Sequence, residues 1–229
     1  MLSTYRKHAA SREAQGIPPL PLDAEQTLEL TKLLENASEK DSKPLINLLE
    51  NRIPPGVDEA AYVKASWLNA IALSKIKSNV VSPIEATKLL GTMVGGYNVS
   101  ALIEILQLKD DLLANSAADG LSKILLVYDA VNDVMDISKK NKYANKVIQS
   151  WANAEWFTKR KGLAEEITVV VFKVEGETNT DDLSPATHAT TRPDIPLHAL
   201  AMLESRMPDG LKLIQELKAT NHQIAYVGD

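Results

Sequence analysis

Cysteine is absent from the 229 residues. Disulfides, thiolate nucleophiles and any cysteine-ligated metal cluster are therefore outside the chemistry this chain can supply. The four histidines (His8, His188, His198, His222) are scattered, and none has the tight i, i+4 spacing of a metal site. Aromatic residues make up only 5% of the chain while Ala and Leu are abundant, which favours helix over sheet. No apolar run approaches the roughly 20 residues that span a membrane. The opening MLSTYRKHAASREAQG has no apolar h-region of a secretory signal, so the expected compartment is the cytoplasm. A cationic surplus is missing too: the formal charge is -5, which argues against a dedicated nucleic-acid binder. What is present is apolar material, 45% of residues, enough for a core in one large domain or two ordinary ones.

Up to about residue 160 the pattern is helical. Asp23 followed by Gln26 predicts a capping box opening AEQTLELTKLLEN, with Leu28, Leu30, Leu33 and Leu34 on one side. SKPLINLLENR follows and is closed by Pro-Pro-Gly at 54–56. DEAAYVKASWLNAIALSKIK places Ala61, Val63, Trp67, Leu68 and Ile71 at three- and four-residue steps, an amphipathic helix. Ser82-Pro83-Ile84-Glu85 combines an N-cap, a proline at the first helical position and a capping-box glutamate. Asn98 is the expected cap of VSALIEILQ, and two further segments follow, DDLLANSAADGLSKILLVYDAVNDVMDI and NKYANKVIQSWANAEWF. Trp67, Trp151, Trp156 and Phe157 read as core aromatics first and as a self-association surface second. LLENRIPPG (48–56) returns loosely as LLGTMVGG (89–96), an offset of about 40 residues, the period of HEAT-type helical pairs. A non-repetitive helical bundle reads almost the same.

Near Glu165 the character changes. ITVVVFKV (167–174) is a β-branched run expected as a buried strand. A long polar segment, a helix from about Pro196 (IPLHALAMLESR), a Pro-Asp-Gly turn, the helix LKLIQELKAT and the strand-like HQIAYVGD complete an α/β pattern. The expected domains are 1–160, all-α, and 161–229, β/α. Two strands fall short of an independently stable sheet, so the second domain reads as incomplete and the chain as a cut piece of a longer protein.

The polar segment GETNTDDLSPATHATTRPDIPLHAL (176–200) concentrates the candidate chemistry. Thr178, Asn179, Thr180, Asp181, Asp182 and Ser184 are short polar side chains that stabilise turns by bonding nearby backbone. Asp181 and Asp182 offer a general acid/base pair, against the plainer reading of a solvated acidic turn; as metal ligands they lack companions. Arg192 is the only Lys or Arg between Lys173 and Arg206, and Pro193 and Pro196 stiffen the backbone around it. A guanidinium on a rigid loop suits bidentate recognition of a carboxylate, the alternative being a salt bridge to Asp181, Asp182 or Asp194.

Several stretches together resemble the bacterial aconitase B family of bifunctional aconitate hydratases and 2-methylisocitrate dehydratases. They are MLSTYRKH, NRIPPGVDEAAYVKASWL, LLGTMVGGYN, QSWANAEWF, GETNTDDLSPA and TRPDIPLHA, and the likeness runs along essentially the whole chain. The resemblance implies a HEAT-like α-solenoid followed by the start of a mobile, swivelling β/α domain. It also implies reversible dehydration and rehydration of citrate and isocitrate through cis-aconitate, at a [4Fe-4S] cluster whose ligands lie beyond residue 229, so that no cofactor is bound by this chain and the chain alone is inactive. By the same resemblance Arg192 matches a substrate-binding arginine, Asp181 sits in a motif beside the site, Asp182 and Ser184 are its neighbours, and no catalytic residue falls within the chain. The implied partners are a tricarboxylate, a second copy through the helical domain, and mRNA. The competing reading is a free-standing α-solenoid module for protein or RNA interaction, without catalysis.

Overall fold

The computed structural model describes residues 2–192 and 194–228, the side chain of Leu2 excepted. Two compact units emerge: one holds the residues up to Arg6 and Leu20–Lys161, the other Lys7–Pro19 and the residues from Gly162 on.

In the first unit the local signals at helix starts are realised where the partner groups are close in sequence. Helix α1 (Leu2–Glu13), which is shared between the two units, precedes α2 (Ala24–Glu35), whose Asp23 and Gln26 form the expected capping box. Ser38 caps α3 (Glu39–Asn51) and Asp58 caps α4 (Glu59–Ala72). At α5 (Pro83–Leu90) Ser82 and Glu85 exchange cap bonds around a proline that needs no N–H there. The hydroxyl of Ser82, donating to Glu85 at 2.6 Å, holds that carboxyl below its usual range.

Three expectations are corrected. The buried stripe of α2 is Thr27, Leu30, Thr31 and Leu34, whereas Leu28 and Leu33 are 47% and 39% exposed: they fall off the i, i+3, i+4 rows that face α4. Asn98 precedes α6 (Val99–Leu106) but makes no side-chain cap; its buried amide donates to the carbonyls of Leu90 (2.6 Å) and Met93 (3.1 Å), closing the end of α5 instead. The segment from Asp110 divides into α7 (Asp111–Leu121) and α8 (Ala130–Ser138), because ILLV (124–127) is a continuous apolar run without helical phase, and Leu125, Leu126 and Tyr128 lie exposed. Helices α9 (Lys142–Ala152) and α10 (Glu155–Thr158) end the unit, separated by Ala154 at φ +49°. Of the four aromatics singled out in the sequence, Trp67 is core; the Trp151 indole donates to the Leu121 carbonyl (3.1 Å), and Trp156 and Phe157 are exposed.

The helices pack against near neighbours in sequence. Helix α2 meets α3 and α4, α4 meets α5 and α6, α5 and α6 meet α7, and α8 meets α9. The core is Leu30, Leu34, Leu45, Leu49, Leu68, Ile71, Leu90, Leu102, Ile105 and Leu106 with small alanines between them. Gly91 and Gly120 let α5 and α7 approach so closely that a Cβ on either would stand 2.9 Å from the other's Cα. Within this core Lys64 is 7% exposed, and burial lowers its pKa against the opposing pull of the Glu50 carboxylate. A lysine whose folded pKa lies below the unfolded value of about 10.4 costs stability while charged. That cost is full below the folded pKa and fades as pH rises to the unfolded one. Lys64→Met is expected to raise Tm by a few degrees at neutral pH, roughly 1 kcal/mol, and by less near pH 10; melts at the two pH values check it.

The second unit is built on β1 (Val169–Lys173) and β2 (Gln223–Val227), paired in parallel with Val169 opposite Gln223 and Lys173 opposite Val227. Between them come a short helix α11 (Thr180–Leu183), a 3-10 turn at Ala186–His188, helix α12 (Ile195–Ala199) and helix α13 (Gly210–Ala219). Phe172, Val174 and Leu203 are buried among Met202, Met207, Ile214, Leu217 and Ile224. The expectation of a buried strand is met on one face only among the described residues, since Ile167 and Val171 are more than half exposed. Helix α12 is likewise shorter than the sequence suggests, and residues 200–206 turn so that Leu203 enters the core at φ +60°.

Candidate functional site

Each polar residue of the long segment now has a place. Asn179 and Asp182 form a capping box at the start of α11: Asp182 N–H donates to Asn179 Oδ1 (3.0 Å) and Asn179 N–H to Asp182 Oδ2 (3.1 Å). Asp182 also accepts from Arg206 Nη1 at 2.6 Å. The same arginine donates to the carbonyls of Glu177 and of Glu175, the latter at 2.6 Å, and Gly176 at φ +77° leaves room where a Cβ would meet its guanidinium. Arg206 thus pins the loop after β1 to the start of α11. The sequence did not mark it for this role, because two of its three partners are main-chain oxygens that no side-chain pattern advertises.

The Asn179 backbone amide, and after it the Arg206 guanidinium, hold the Asp182 carboxyl below its usual range. With the folded pKa depressed, the charged carboxylate contributes stability above the unfolded pKa of about 3.9, and that contribution is lost as pH falls through the folded pKa. Asp182→Asn is therefore expected to melt earlier than the parent at pH 7, with the difference vanishing on acidification below about pH 4. Thermal melts across an acid series check this.

Asp181 is exposed, and among the described residues no bond joins it to Arg192. Ser184 Oγ lies 3.1 Å from His198 Nε2. The Arg192 amide donates to the His188 carbonyl (2.9 Å), and Pro193, expected to stiffen this turn, lies outside the described residues. The carboxylate that faces Arg192 is none of the three aspartates the sequence offers. It is Glu204, whose Oε2 is 3.9 Å from Arg192 Nη2 and 3.2 Å from His188 Nε2. Asp194 is turned instead to Arg12, with Arg12 Nη2 at 2.7 Å from its Oδ1.

Arg192, Ser184, Asp194 and His198 share one open concavity of about 320 Å³, walled also by Leu183 and Ile195. It brings together a guanidinium held loosely by a half-exposed glutamate, a hydroxyl, an imidazole and the Asp194 carboxylate, the last already paired to Arg12, a set that can receive a small anion. At 3.9 Å and with both side chains partly solvated, the Arg192–Glu204 pair is worth about 0–1 kcal/mol. A ligand carboxylate that meets the guanidinium's fork with two charge-assisted hydrogen bonds displaces it. Larger concavities on the helical unit are less suited. In one, of about 550 Å³, Lys146 is paired to Asp119 at 2.6 Å and Lys159 to Glu155 at 2.7 Å. Another, of about 570 Å³ near Val99, Ile103 and Tyr128, is mostly apolar, carries Ser100 and Asp133 as its other polar residues and has no cation in its lining. Among the described residues no group of three or more histidines and acids is arranged to hold a metal ion.

The chain matches two known family models, the aconitate B N-terminal domain over residues 4–157 and the aconitate hydratase 2 N-terminus over residues 169–229. It is 59% identical over 229 residues to an aconitate hydratase B of Synechocystis sp., covering 100% of this chain and 26% of that protein. It is 53% identical over 240 residues to an aconitate hydratase B of Escherichia coli, covering 100% of this chain and 28% of that protein. An aconitate hydratase B of Helicobacter pylori is 45% identical over 228 residues, again 100% of this chain and 27% of the relative. The chain therefore spans little more than a quarter of the length of these curated relatives.

Proposed function

The chain belongs to the aconitate hydratase B family, and we propose that it is the N-terminal part of a hydro-lyase that interconverts citrate and isocitrate through cis-aconitate, contributing Arg192 as a substrate-carboxylate contact. The observation that carries the role of Arg192 is its place in the concavity beside Ser184 and His198, with Glu204 at 3.9 Å as its carboxylate partner. A tricarboxylate needs fixed cations, and a planar fork with five donors is the side chain best matched to a carboxylate. Asp181, exposed on α11 and without a bond to Arg192, is a rim group in this reading, while Asp182 shapes the loop and Ser184 lines the wall.

A [4Fe-4S] cluster supplies Lewis-acid chemistry in the family resemblance, and the residues here do not fit it: no cysteine exists in the chain, and the described residues offer no other metal-binding group. The role of this chain lies in binding and shaping. The helical unit is a HEAT-like solenoid in this account, supported by packing confined to helices near in sequence and by the close approach of the two turns an offset of about 40 residues apart. Residues 161–229 are the start of the swivelling domain in this reading, and the exposed apolar face of β1 supports a sheet completed by further chain. Exposed Leu112, Tyr128 and Phe157 on the helical unit support self-association, which sedimentation at several concentrations tests; a monomer throughout rejects it. A cytoplasmic location and mRNA contact complete the reading, the second answered by a gel shift across salt concentrations.

The enzymatic reading is tested by expressing the full-length protein, reconstituting its cluster and following loss of cis-aconitate absorbance. Turnover by the full-length protein and none by these 229 residues is the expected result. A reconstituted full-length protein that leaves citrate, isocitrate and cis-aconitate untouched contradicts it.

A further inference from the structure

Arg12 lies in the last turn of α1, yet its side chain is buried, with 7% of the residue exposed. All three guanidinium nitrogens are engaged. Nη1 donates to Asp194 Oδ2 at 2.9 Å, Nη2 to Asp194 Oδ1 at 2.7 Å, and Nε to the Pro18 carbonyl at 2.7 Å. This is the fork-to-fork arrangement, the most directional of the charged hydrogen bonds. It joins residues 182 apart in sequence, both within the unit formed by Lys7–Pro19 and the residues from Gly162 on.

Asp194 is a hinge point of the candidate site. Its Oδ1 accepts the Leu197 amide at 3.1 Å and so caps α12, and it lies two residues after Arg192 in the wall of the same concavity. On the other side, the Arg192 amide is tied to the His188 carbonyl at 2.9 Å. The backbone carrying Arg192 is thus fastened at two points, one of them made by Arg12. Among the described residues the guanidinium of Arg192 has only the 3.9 Å contact to Glu204, so its position is set by the backbone beneath it.

We propose that Arg12 is a positioning residue for Arg192: through the bidentate bond it fixes Asp194, two residues beyond Arg192, so that the Arg192 guanidinium is held at the concavity ready for a substrate carboxylate. The inference rests on the reading of Arg192 as a substrate contact. Arg12 touches no substrate; it acts through Asp194, and the entropy of ordering the turn is met in the folded protein instead of on binding.

The test is a kinetic double-mutant cycle in the full-length, cluster-reconstituted enzyme, joined to amide exchange. Arg12→Ala is expected to raise KM for citrate about tenfold with a small change in kcat per loaded site. Arg12→Lys, which keeps the charge without the fork, is expected to fall between it and the parent. In an Arg192→Ala background Arg12→Ala is expected to add nothing to KM, because the group it positions is gone. Exchange at the Arg192 and Leu197 amides is expected to quicken in Arg12→Ala. Should Arg12→Ala fail to fold, Arg12→Lys and Asp194→Asn carry the same cycle.

An unchanged KM in Arg12→Ala, unchanged exchange at those amides, or the same tenfold factor repeated in the Arg192→Ala background overturns the positioning role and leaves Arg192 standing. Parent-like KM in Arg192→Ala alone overturns the reading beneath it, so the two failures are told apart.

Discussion

Arg192→Ala in the full-length enzyme is expected to lower kcat/KM for citrate roughly a hundredfold, about 3 kcal/mol, mostly through KM. Arg192 lines the concavity with Ser184 and His198, and the internal partner of its guanidinium is a solvated glutamate at 3.9 Å. On the proposed role, truncation removes two charge-assisted hydrogen bonds and leaves a ligand carboxylate without its cation, beside Ser184, His198 and the Asp194 carboxylate. Arg192→Lys keeps the charge but offers a strongly hydrated point in place of a planar fork, so a loss of about tenfold is expected. Glu204→Gln makes a useful companion: relieved of its competitor, Arg192 is expected to bind at least as well as in the parent. Steady-state kinetics on the three variants at equal cluster loading checks the series, and parent-like values in Arg192→Ala contradict the role.

The second large effect belongs to the helical unit. Gly95→Ala is expected to cost about 3 kcal/mol or more, a fall in Tm of roughly 10 °C for a chain of this size. Gly95 sits at φ +97°, where an L side chain is strained, and a Cβ there would overlap the backbone of Gly56 far inside van der Waals contact. Neither side can yield by a rotamer change, because both are main chain. The two turns are further joined by the Tyr97 hydroxyl, which donates to the Val57 carbonyl at 3.1 Å, and by the edge-on contact of Tyr97 with Tyr62 at 5.3 Å between ring centres. Gly96 is the internal control: its φ is +98°, but a Cβ there meets nothing within 4 Å. Gly96→Ala therefore carries the backbone strain alone, about 1–2 kcal/mol, and the difference between the two melts isolates the contact. Equal melting temperatures for the two variants contradict the packing argument.

Those two turns are the ends of LLENRIPPG and LLGTMVGG, and their legibility illustrates what the sequence carried. The motifs return only loosely, and Pro-Pro-Gly reads as a break, but nothing in them announces that they touch. Capping boxes at Asp23 and Ser82 were readable because all their atoms lie within four residues. Asn98 looked like one more cap and instead spends its amide on carbonyls five and eight residues back, a choice made by burial and by the end of α5. Leu28 and Leu33 looked equivalent to Leu30 and Leu34, since composition does not say which stripe of a leucine-rich helix meets its neighbour. The β-branched run of β1 named a strand correctly but overstated its burial, which depends on layers that five residues cannot encode.

The candidate site was half visible in the same sense. Arg192 was marked by its isolation among acids, hydroxyls and prolines, and by TRPDIPLHA as a family-like motif. Its surroundings were not. Glu204 reaches it from the turns after α12, Arg206 ties the preceding loop through carbonyls, and Arg12 arrives from the other end of the chain. Long-range contacts of this kind have no period and no spacing, so they become legible only when the fold brings the residues together. The acid pair that first invites a catalytic reading separates on inspection, with Asp182 engaged in a cap and an ion pair and Asp181 exposed on the helix.

The most direct measurement of the central claim is a structure of the full-length, cluster-reconstituted enzyme with citrate or isocitrate bound. One substrate carboxylate is expected on the Arg192 guanidinium at about 2.8 Å through two nitrogens, with Glu204 displaced from it. A bound tricarboxylate that makes no contact with Arg192, its guanidinium still turned to Glu204, contradicts it.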